Sequence, residues 1–314
     1  MFIRLGTRHS PLALWQAKYV SSELTALGHD VELVKVTTSG DISTTPLGQS
    51  GGQGVFTKEI QRALLDHRCD LAVHSLKDLP TEVVPELRLS AVPPREDACD
   101  CLVSQGLKLA DLPAGTIVGT GSPRRKAQLL LTRPDLIVED IRGNVETRLR
   151  KLDEGQYGAI LLAFAGLHRL GLESRIVEKF TFEQMLPAVG QAALGLETRI
   201  DDAQTIEAVK ALDHPITHAA VIAERTLLRS MRAGCLAPLA AHTWLDDHLI
   251  RIEAKVFSQD GQNMIATVQQ LPIERSLDTE ALYSIAEQLG VLAAKDLSSK
   301  GAGELIDRSR KQVS

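Results

Sequence analysis

Cysteine is scarce in this chain of 314 residues, which carries only Cys69, Cys99, Cys101 and Cys235. Four unevenly scattered thiols make no disulfide framework and predict reduced cysteines in a cytoplasmic protein. Cys99 and Cys101 form a Cys-x-Cys, but no second Cys or His pair stands at zinc spacing, so no metal centre is expected. Long apolar runs are also missing, and no window reaches the length of a membrane span. The opening Met-Phe-Ile-Arg-Leu-Gly-Thr-Arg lacks the apolar core and cleavage site of a secretory leader. Positive charge is not in excess: the net charge is −5, which argues against a nucleic-acid partner. Neither Gly-x-x-x-x-Gly-Lys-Ser/Thr nor Gly-x-Gly-x-x-Gly occurs, which disfavours a nucleotide. No apolar face argues for more than a monomer.

What is present is an ordinary globular composition, 44% hydrophobic and 24% charged, at a length expected of roughly two or three domains. Phe2 to Leu5 reads as a strand. Ser10-Pro11 follows as N-cap and first helical residue, and Ala13, Ala17, Val20, Leu24 and Leu27 form one apolar stripe that Gly28 ends. Val31 to Val36 completes a β-α-β unit, which implies parallel strands. Thr45 to Gly54, with Gly48, Gly51, Gly52 and Gly54, predicts a lid over a cleft. After a helix over Thr57 to Asp66, Leu71 to Val73 reads as a buried strand. Its carboxyl end is expected to release His74, Ser75, Lys77 and Asp78 together before Pro80, where open α/β sheets bind their ligands.

The pattern then recurs. Leu87 to Val92 is a strand and Asp97 to Ser104 a crossover. Thr116 to Thr120 leads to Gly121 and to Ser122-Pro123, again a cap and a first-turn proline, with Arg124 and Arg125 behind them. Leu136 to Ile141 ends in Arg142-Gly143-Asn144, before a helix carrying Arg148. Ala159 to Phe164 precedes a helical turn with Arg169. Met185 to Gln191 crosses back, Ala192 to Glu197 returns as a strand, and a helix spans His214 to Arg232. Beyond it, Ala240–Trp244, Leu249–Phe257 and Met264–Leu271 alternate like antiparallel strands, with a turn at Asp260-Gly261, and a helix over Thr279 to Leu297 closes the chain. The reading is two similar doubly wound α/β domains facing a cleft, plus a smaller α+β C-terminal domain. The expected boundaries are 1–95 with 190–212, 96–189, and 213–314.

Arg8, Arg124, Arg142, Arg148 and Arg169 all follow strand ends, several beside helix N-termini, where unpaired N–H groups already attract anions. Guanidinium groups added there suit several carboxylates, so a small polycarboxylate ligand is expected. Cys235 follows a glycine beside a Pro-stiffened loop; near such a basic cleft its pKa would be depressed and its sulphur a usable nucleophile. These residues leave two readings open: an enzyme, or a two-domain binding protein for a small polycarboxylate.

The ordered motifs Thr7-Arg8-His9-Ser10-Pro11-Leu12-Ala13-Leu14-Trp15-Gln16-Ala17, His74-Ser75-Leu76-Lys77-Asp78-Leu79-Pro80, Gly119-Thr120-Gly121-Ser122-Pro123-Arg124-Arg125, Arg142-Gly143-Asn144-Val145 with Thr147-Arg148-Leu149, Leu186-Pro187-Ala188-Val189-Gly190-Gln191, and Gly234-Cys235 with Pro238 resemble those of the hydroxymethylbilane synthase (porphobilinogen deaminase) family over essentially the whole chain. The resemblance implies a periplasmic-binding-protein-like pair of domains and a transferase of porphyrin, tetrapyrrole and heme biosynthesis. Such an enzyme joins four porphobilinogen molecules head to tail, releasing ammonia, to give hydroxymethylbilane. It also implies a dipyrromethane cofactor in thioether linkage to Cys235 and Asp78 as the catalytic acid, stabilising the cationic azafulvene left when ammonia departs. Lys77, Ser122, Arg124, Arg125, Arg142 and Arg148 match cofactor-binding positions; Arg8, Ser10 and Arg169 match positions at the incoming substrate. This chain departs from the common pattern at Gln49 and Gln53 (lysines in many relatives), Gly121 and Pro123 (serine and leucine), and Ala192 and Ala233 (both glycine).

Overall fold

The structure, a computed structural model, describes residues 1–37, 57–234, 237–246, 248–274 and 278–311. The expected lid over Thr45 to Gly54, with Gln49 and Gln53, lies outside the described residues, as does Cys235. By its contacts the chain divides into two compact units, Met1–Glu96 with Ala192–Ala219, and Asp97–Gln191 with Ala220–Ser314.

In the first unit, β1 (Phe2–Thr7), β2 (Asp30–Lys35) and β3 (Leu71–Ser75) run parallel. Together with β4 (Leu87–Ala91) and β10 (Leu194–Arg199) they form one sheet in the order β2-β1-β3-β10-β4. Helix α1 (Pro11–Ala26) makes the first crossover. Ser10 caps it by accepting from the Ala13 N–H at 3.3 Å, and Pro11 has no N–H to leave orphaned. Its inner face buries Gln16, Ala17, Val20 and Leu24 on Ile3, Leu5, Leu71, Val73 and Leu196 of the sheet. Each fully buried Leu there is worth ~2 kcal/mol. Leu27 departs from the expected stripe: the helix ends at Ala26, and Leu27 is half exposed while Gly28 turns the chain at φ +85°. Helix α2 (Lys58–Leu65) packs Ile60, Ala63 and Leu64 with Val36, Cys69 and Ala72. β10 pairs antiparallel with β3, Leu196 opposite Val73, so the returning segment fills the sheet. α6 (Ala203–Lys210) follows it, and α7 (Pro215–Ser230) begins in this unit and ends in the other.

The second unit repeats the topology. β6 (Ile117–Gly119), β7 (Ile137–Glu139) and β8 (Ala159–Ala163) run parallel. β5 (Asp100–Ser104), antiparallel to β8, and β9 (Glu178–Lys179), antiparallel to β5, complete the order β7-β6-β8-β5-β9. β3 and β8 are near-continuous apolar runs because both faces of a parallel sheet are covered. Helices α3 (Pro123–Thr132), α4 (Val145–Asp153) and α5 (Phe164–Arg169) follow β6, β7 and β8. The strand expected over Leu136 to Ile141 is shorter, Ile137–Glu139.

The C-terminal part of this unit is the antiparallel sheet β11 (Leu239–Leu245), β12 (Leu249–Phe257) and β13 (Met264–Pro272). Along β12, Ile250, Ile252, Ala254 and Val256 are buried in alternation. Helix α8 (Thr279–Ser299) packs on the sheet and α9 (Ala302–Lys311) follows a break at Gly301, φ +89°. α9 is absent from the sequence reading because its segment is mostly polar; among its described side chains Ala302, Ile306 and Ser309 are the buried ones. The β12–β13 turn is seated on α3: a Cβ at Gly261, which has φ +72°, would lie 2.6 Å from the Ala127 carbonyl oxygen. Among the described residues no helix is long and apolar enough to cross a membrane, and no cluster of three or more His, Cys, Asp or Glu could hold a metal.

Ala192, a departure from the family's glycine, adopts φ +70° and is buried. A Cβ in the left-handed region clashes with its own carbonyl, at about 1–2 kcal/mol. Ala192→Gly is therefore expected to raise the Tm, by about 1 kcal/mol of added stability. A melt of the two proteins side by side checks this, and an unchanged or lower Tm would show that the position is not strained.

Candidate active site

In the first unit the chain leaves β3 through a single 3-10 turn, Leu76–Asp78, that carries Lys77 and Asp78, both half-buried. Apolar residues on either side fasten the turn: Leu76 and Leu79 are buried. The Leu76 N–H donates to the Ala193 carbonyl at 3.0 Å, and Gln16 of α1 donates through Nε2 to the Ser75 hydroxyl at 2.8 Å. Leu76 fits because position 195 is glycine; a Cβ there would stand 2.7 Å from Leu76 Cδ1. Arg8 and Ser10 lie at the equivalent end of β1, the Ser10 oxygen engaged as the α1 cap.

His74 is a correction to the expected polar cluster. It is the fourth residue of β3 and is buried, with Nε2 3.0 Å from Glu197 Oε2 on β10, while Gln61 Nε2 donates to Glu197 Oε1 at 2.9 Å. The strand continues to Ser75 rather than stopping at Val73, and alternation turns His74 inward.

In the second unit, Ser122 caps α3 by accepting from the Arg125 N–H at 3.4 Å. Arg124 and Arg125 in the first turn are buried and converge on Asp100, the first residue of β5, which is fully buried. Arg125 donates through Nε (3.0 Å) and Nη2 (2.7 Å) to Asp100 Oδ1, and Arg124 Nη1 lies 2.7 Å from Asp100 Oδ2. Gln191 Nε2 donates to the same Oδ1 at 2.9 Å. Burial opposes the charge on Asp100, but the two guanidinium groups outweigh it and hold the carboxyl well below the usual carboxylate range. Burial lowers Arg124 from its ordinary value, with Asp100 working against that. Two cations and one anion leave an excess of one positive charge, and Arg124 Nε is a buried donor without a hydrogen-bond partner among the described residues. An orphaned donor beside surplus positive charge at a helix N-terminus suits a carboxylate arm.

The other arginines are distributed around the same sheet end. Arg142 follows β7 and donates through Nε to Asp140 at 2.7 Å, partly exposed. Gly143 has φ +110°, and a Cβ there would lie 2.6 Å from Thr147 Cγ2. Asn144 caps α4 by accepting from the Thr147 N–H at 2.9 Å, and Arg148 Nε donates to the Gly143 carbonyl at 2.8 Å. Arg169 is buried and is the last residue of α5, the helical turn expected after this strand.

Sequence reasoning missed Asp100 and the framework behind it. A carboxylate opening the otherwise apolar Asp-Cys-Leu-Val-Ser was the available signal. Gln128 of α3 donates to the Leu186 carbonyl at 3.0 Å and accepts from its N–H at 2.8 Å, and Arg124 Nη1 reaches the same carbonyl at 2.7 Å. Pro187 then accepts from Ala241 of β11 at 3.0 Å. Thus the helix bearing Arg124 is tied through 186–187 to the strand that follows the Cys235 segment. Cys69, Cys99 and Cys101 are buried free thiols; burial pushes all three up, Cys69 to about 11 and Cys101 to about 12.

Two sheets of one topology, with Arg124, Arg125 and Arg142 following strand ends of the second, define an α/β protein of two similarly built halves. Comparison with known families makes the class specific. The model of "Porphobilinogen deaminase, dipyromethane cofactor binding domain" matches residues 3–207 and that of "Porphobilinogen deaminase, C-terminal domain" matches residues 218–299. The chain belongs to the porphobilinogen deaminase family. It is a transferase of tetrapyrrole and heme biosynthesis that joins porphobilinogen units into hydroxymethylbilane and uses a dipyrromethane cofactor. Solved structures similar to it include a Bacillus subtilis lipoprotein assigned to methionine binding (12% identity, 67% of this chain and 89% of that one, TM-score 0.42). An ancestral arginine-binding protein (15%, 67% and 90%, TM-score 0.39) and the periplasmic aliphatic sulphonate-binding protein of Escherichia coli (15%, 74% and 70%, TM-score 0.37) are also similar. At such scores the likeness carries no argument about ligand or activity, and the binding-protein reading gives way to the transferase.

Proposed function

We propose that Asp78 is the catalytic acid of this transferase and Cys235 the covalent anchor of its dipyrromethane. Lys77, Ser122, Arg124, Arg125, Arg142 and Arg148 hold the cofactor, and Arg8, Ser10 and Arg169 meet incoming porphobilinogen. The observation that carries the reading is the buried Arg124 Nε, which has no hydrogen-bond partner among the described residues, beside two guanidinium groups that share one carboxylate. When bound, the dipyrromethane supplies the primer end to which new pyrroles are joined. The protein's own residues do the rest. Guanidinium groups and the capped N-terminus of α3 bind acetate and propionate arms. Asp78 offers a fixed carboxylate to positive charge that develops beside a pyrrole nitrogen as ammonia leaves, and a preorganised countercharge lowers that barrier. Three of the four cysteines are buried with raised pKa, which supports Cys235 as the thioether sulphur. On this reading the protein works as a cytoplasmic monomer without nucleic-acid or membrane partners, and residues 213–314 act as a third domain presenting Cys235.

Intact-protein mass spectrometry tests the reading on freshly purified protein. The expected mass exceeds that of the sequence by two pyrrole units; a mass equal to the sequence would remove the covalent primer.

A further inference from the structure

We propose that Asp100 is a positioning residue for the cofactor site, the single carboxylate that sets the angle of both Arg124 and Arg125. This rests on the assignment of those arginines to the cofactor, made above. Asp100 starts the antiparallel strand β5 directly opposite Ala163, the last residue of β8, so its side chain lies at the end of the sheet where β6 and β8 deliver their helices. Each of its oxygens has a distinct task. Oδ1 takes the Nε and Nη2 edge of Arg125 and the amide of Gln191; Oδ2 faces Nη1 of Arg124.

The remaining contacts fix the rest of both guanidinium groups. Arg125 Nη1 donates to the Leu161 carbonyl at 3.0 Å and Arg124 Nη1 to the Leu186 carbonyl at 2.7 Å. Those carbonyls locate the side chains but supply no charge. Without Asp100, two cations would face each other in a site closed to water, where repulsion is weakly screened. One of them, Arg124, whose Nε has no hydrogen-bond partner among the described residues, would have to swing away. The carboxylate thus does two things: it allows both arginines to be buried side by side, and it leaves a surplus of one charge rather than two. A ligand carboxylate completes that charge balance. Gln191 adds a link of its own, because its Nε2 also donates to the Ala98 carbonyl at 2.6 Å, so the segment 186–191 and the start of β5 are held to one point.

The alternative is that Asp100 is only an ion pair of the fold. Apo-proteins of the wild type, Asp100→Asn, Asp100→Glu and Arg124→Gln separate the two. Folding is checked by circular dichroism and thermal melts. Each apo-protein is then incubated with porphobilinogen well below its Tm, and the gain of two pyrrole units is followed by intact mass. Asp100→Asn keeps the shape but presents an N–H₂ to one arginine and no charge to either; folded protein is expected to load about thirtyfold more slowly than wild type. Asp100→Glu keeps the charge but moves it by a methylene, and is expected to load about tenfold more slowly. If either variant is folded and loads at the wild-type rate while Arg124→Gln loads slowly, Asp100 does not position the site and the arginine assignment stands. If Arg124→Gln itself loads at the wild-type rate, the assignment fails and this inference with it. Should Asp100→Asn not fold, the rate for Asp100→Glu decides the question by the same criterion.

Discussion

Asp78→Asn is expected to give a folded protein, loaded with its cofactor, whose turnover falls by about 10²–10³-fold. Folding survives because the carboxylate is half-buried at the tip of a one-turn helix, and the turn is held by other groups: Leu76 and Leu79 inside, the Leu76 N–H to Ala193, and Ser75 to Gln16. Loading survives because the residues proposed to hold the cofactor lie mainly at α3 and α4 of the second unit. Turnover does not, because asparagine keeps the shape and loses the negative charge that answers a developing cation. Product formation under single-turnover conditions, alongside intact mass and a melt, measures all three. Wild-type turnover in a loaded Asp78→Asn protein would remove Asp78 from the chemistry. A loss of loading equal to the loss of turnover would make it a cofactor ligand instead.

Cys235→Ala is expected to yield folded protein whose mass equals that of its sequence and whose activity is abolished. No other sulphur can substitute. Cys69 sits within 2.8 Å of where a Cβ on Gly6 would be, Cys101 donates to the Leu162 carbonyl at 3.3 Å inside the sheet, and Cys99 is buried beside Asp97. All three thiols are held protonated by burial at neutral pH, and the thiol form is a poor nucleophile. Peptide mapping of the variant supplies the decisive check: a pyrrole pair found on Cys69, Cys99 or Cys101 would overturn the assignment of Cys235.

Much of the architecture could be read from local signals. Ser10-Pro11 and Ser122-Pro123 announced two helices after two strands, and both serines do cap them. The alternation in Leu249 to Phe257 marked an antiparallel strand, and the β12 burial pattern follows it. Such signals succeed because capping and pleating act over a few residues, within reach of the pattern itself. Where the reading failed, the deciding partner was distant. His74 turned inward because Glu197, far along the chain and two residues along β10 from His74's register partner Gly195, meets its ring at 3.0 Å. Leu27 turned outward because the helix stopped one residue earlier than its stripe. Helix α9 was invisible because its segment is mostly polar and few of its described side chains are buried.

The sequence by itself determined the repeated strand-to-capped-helix pattern, the placing of arginines after strand ends, and the motifs that mark the family, since each is a property of residues close together in the chain. The tertiary structure alone decided that Arg124 and Arg125 share one carboxylate, that the carboxylate is Asp100, and that Arg124 Nε has no hydrogen-bond partner among the described residues. The reason is that a charge balance belongs to a place in space: β5, α3 and the 186–191 segment are remote in sequence, and only the folded sheet brings their side chains within hydrogen-bonding distance.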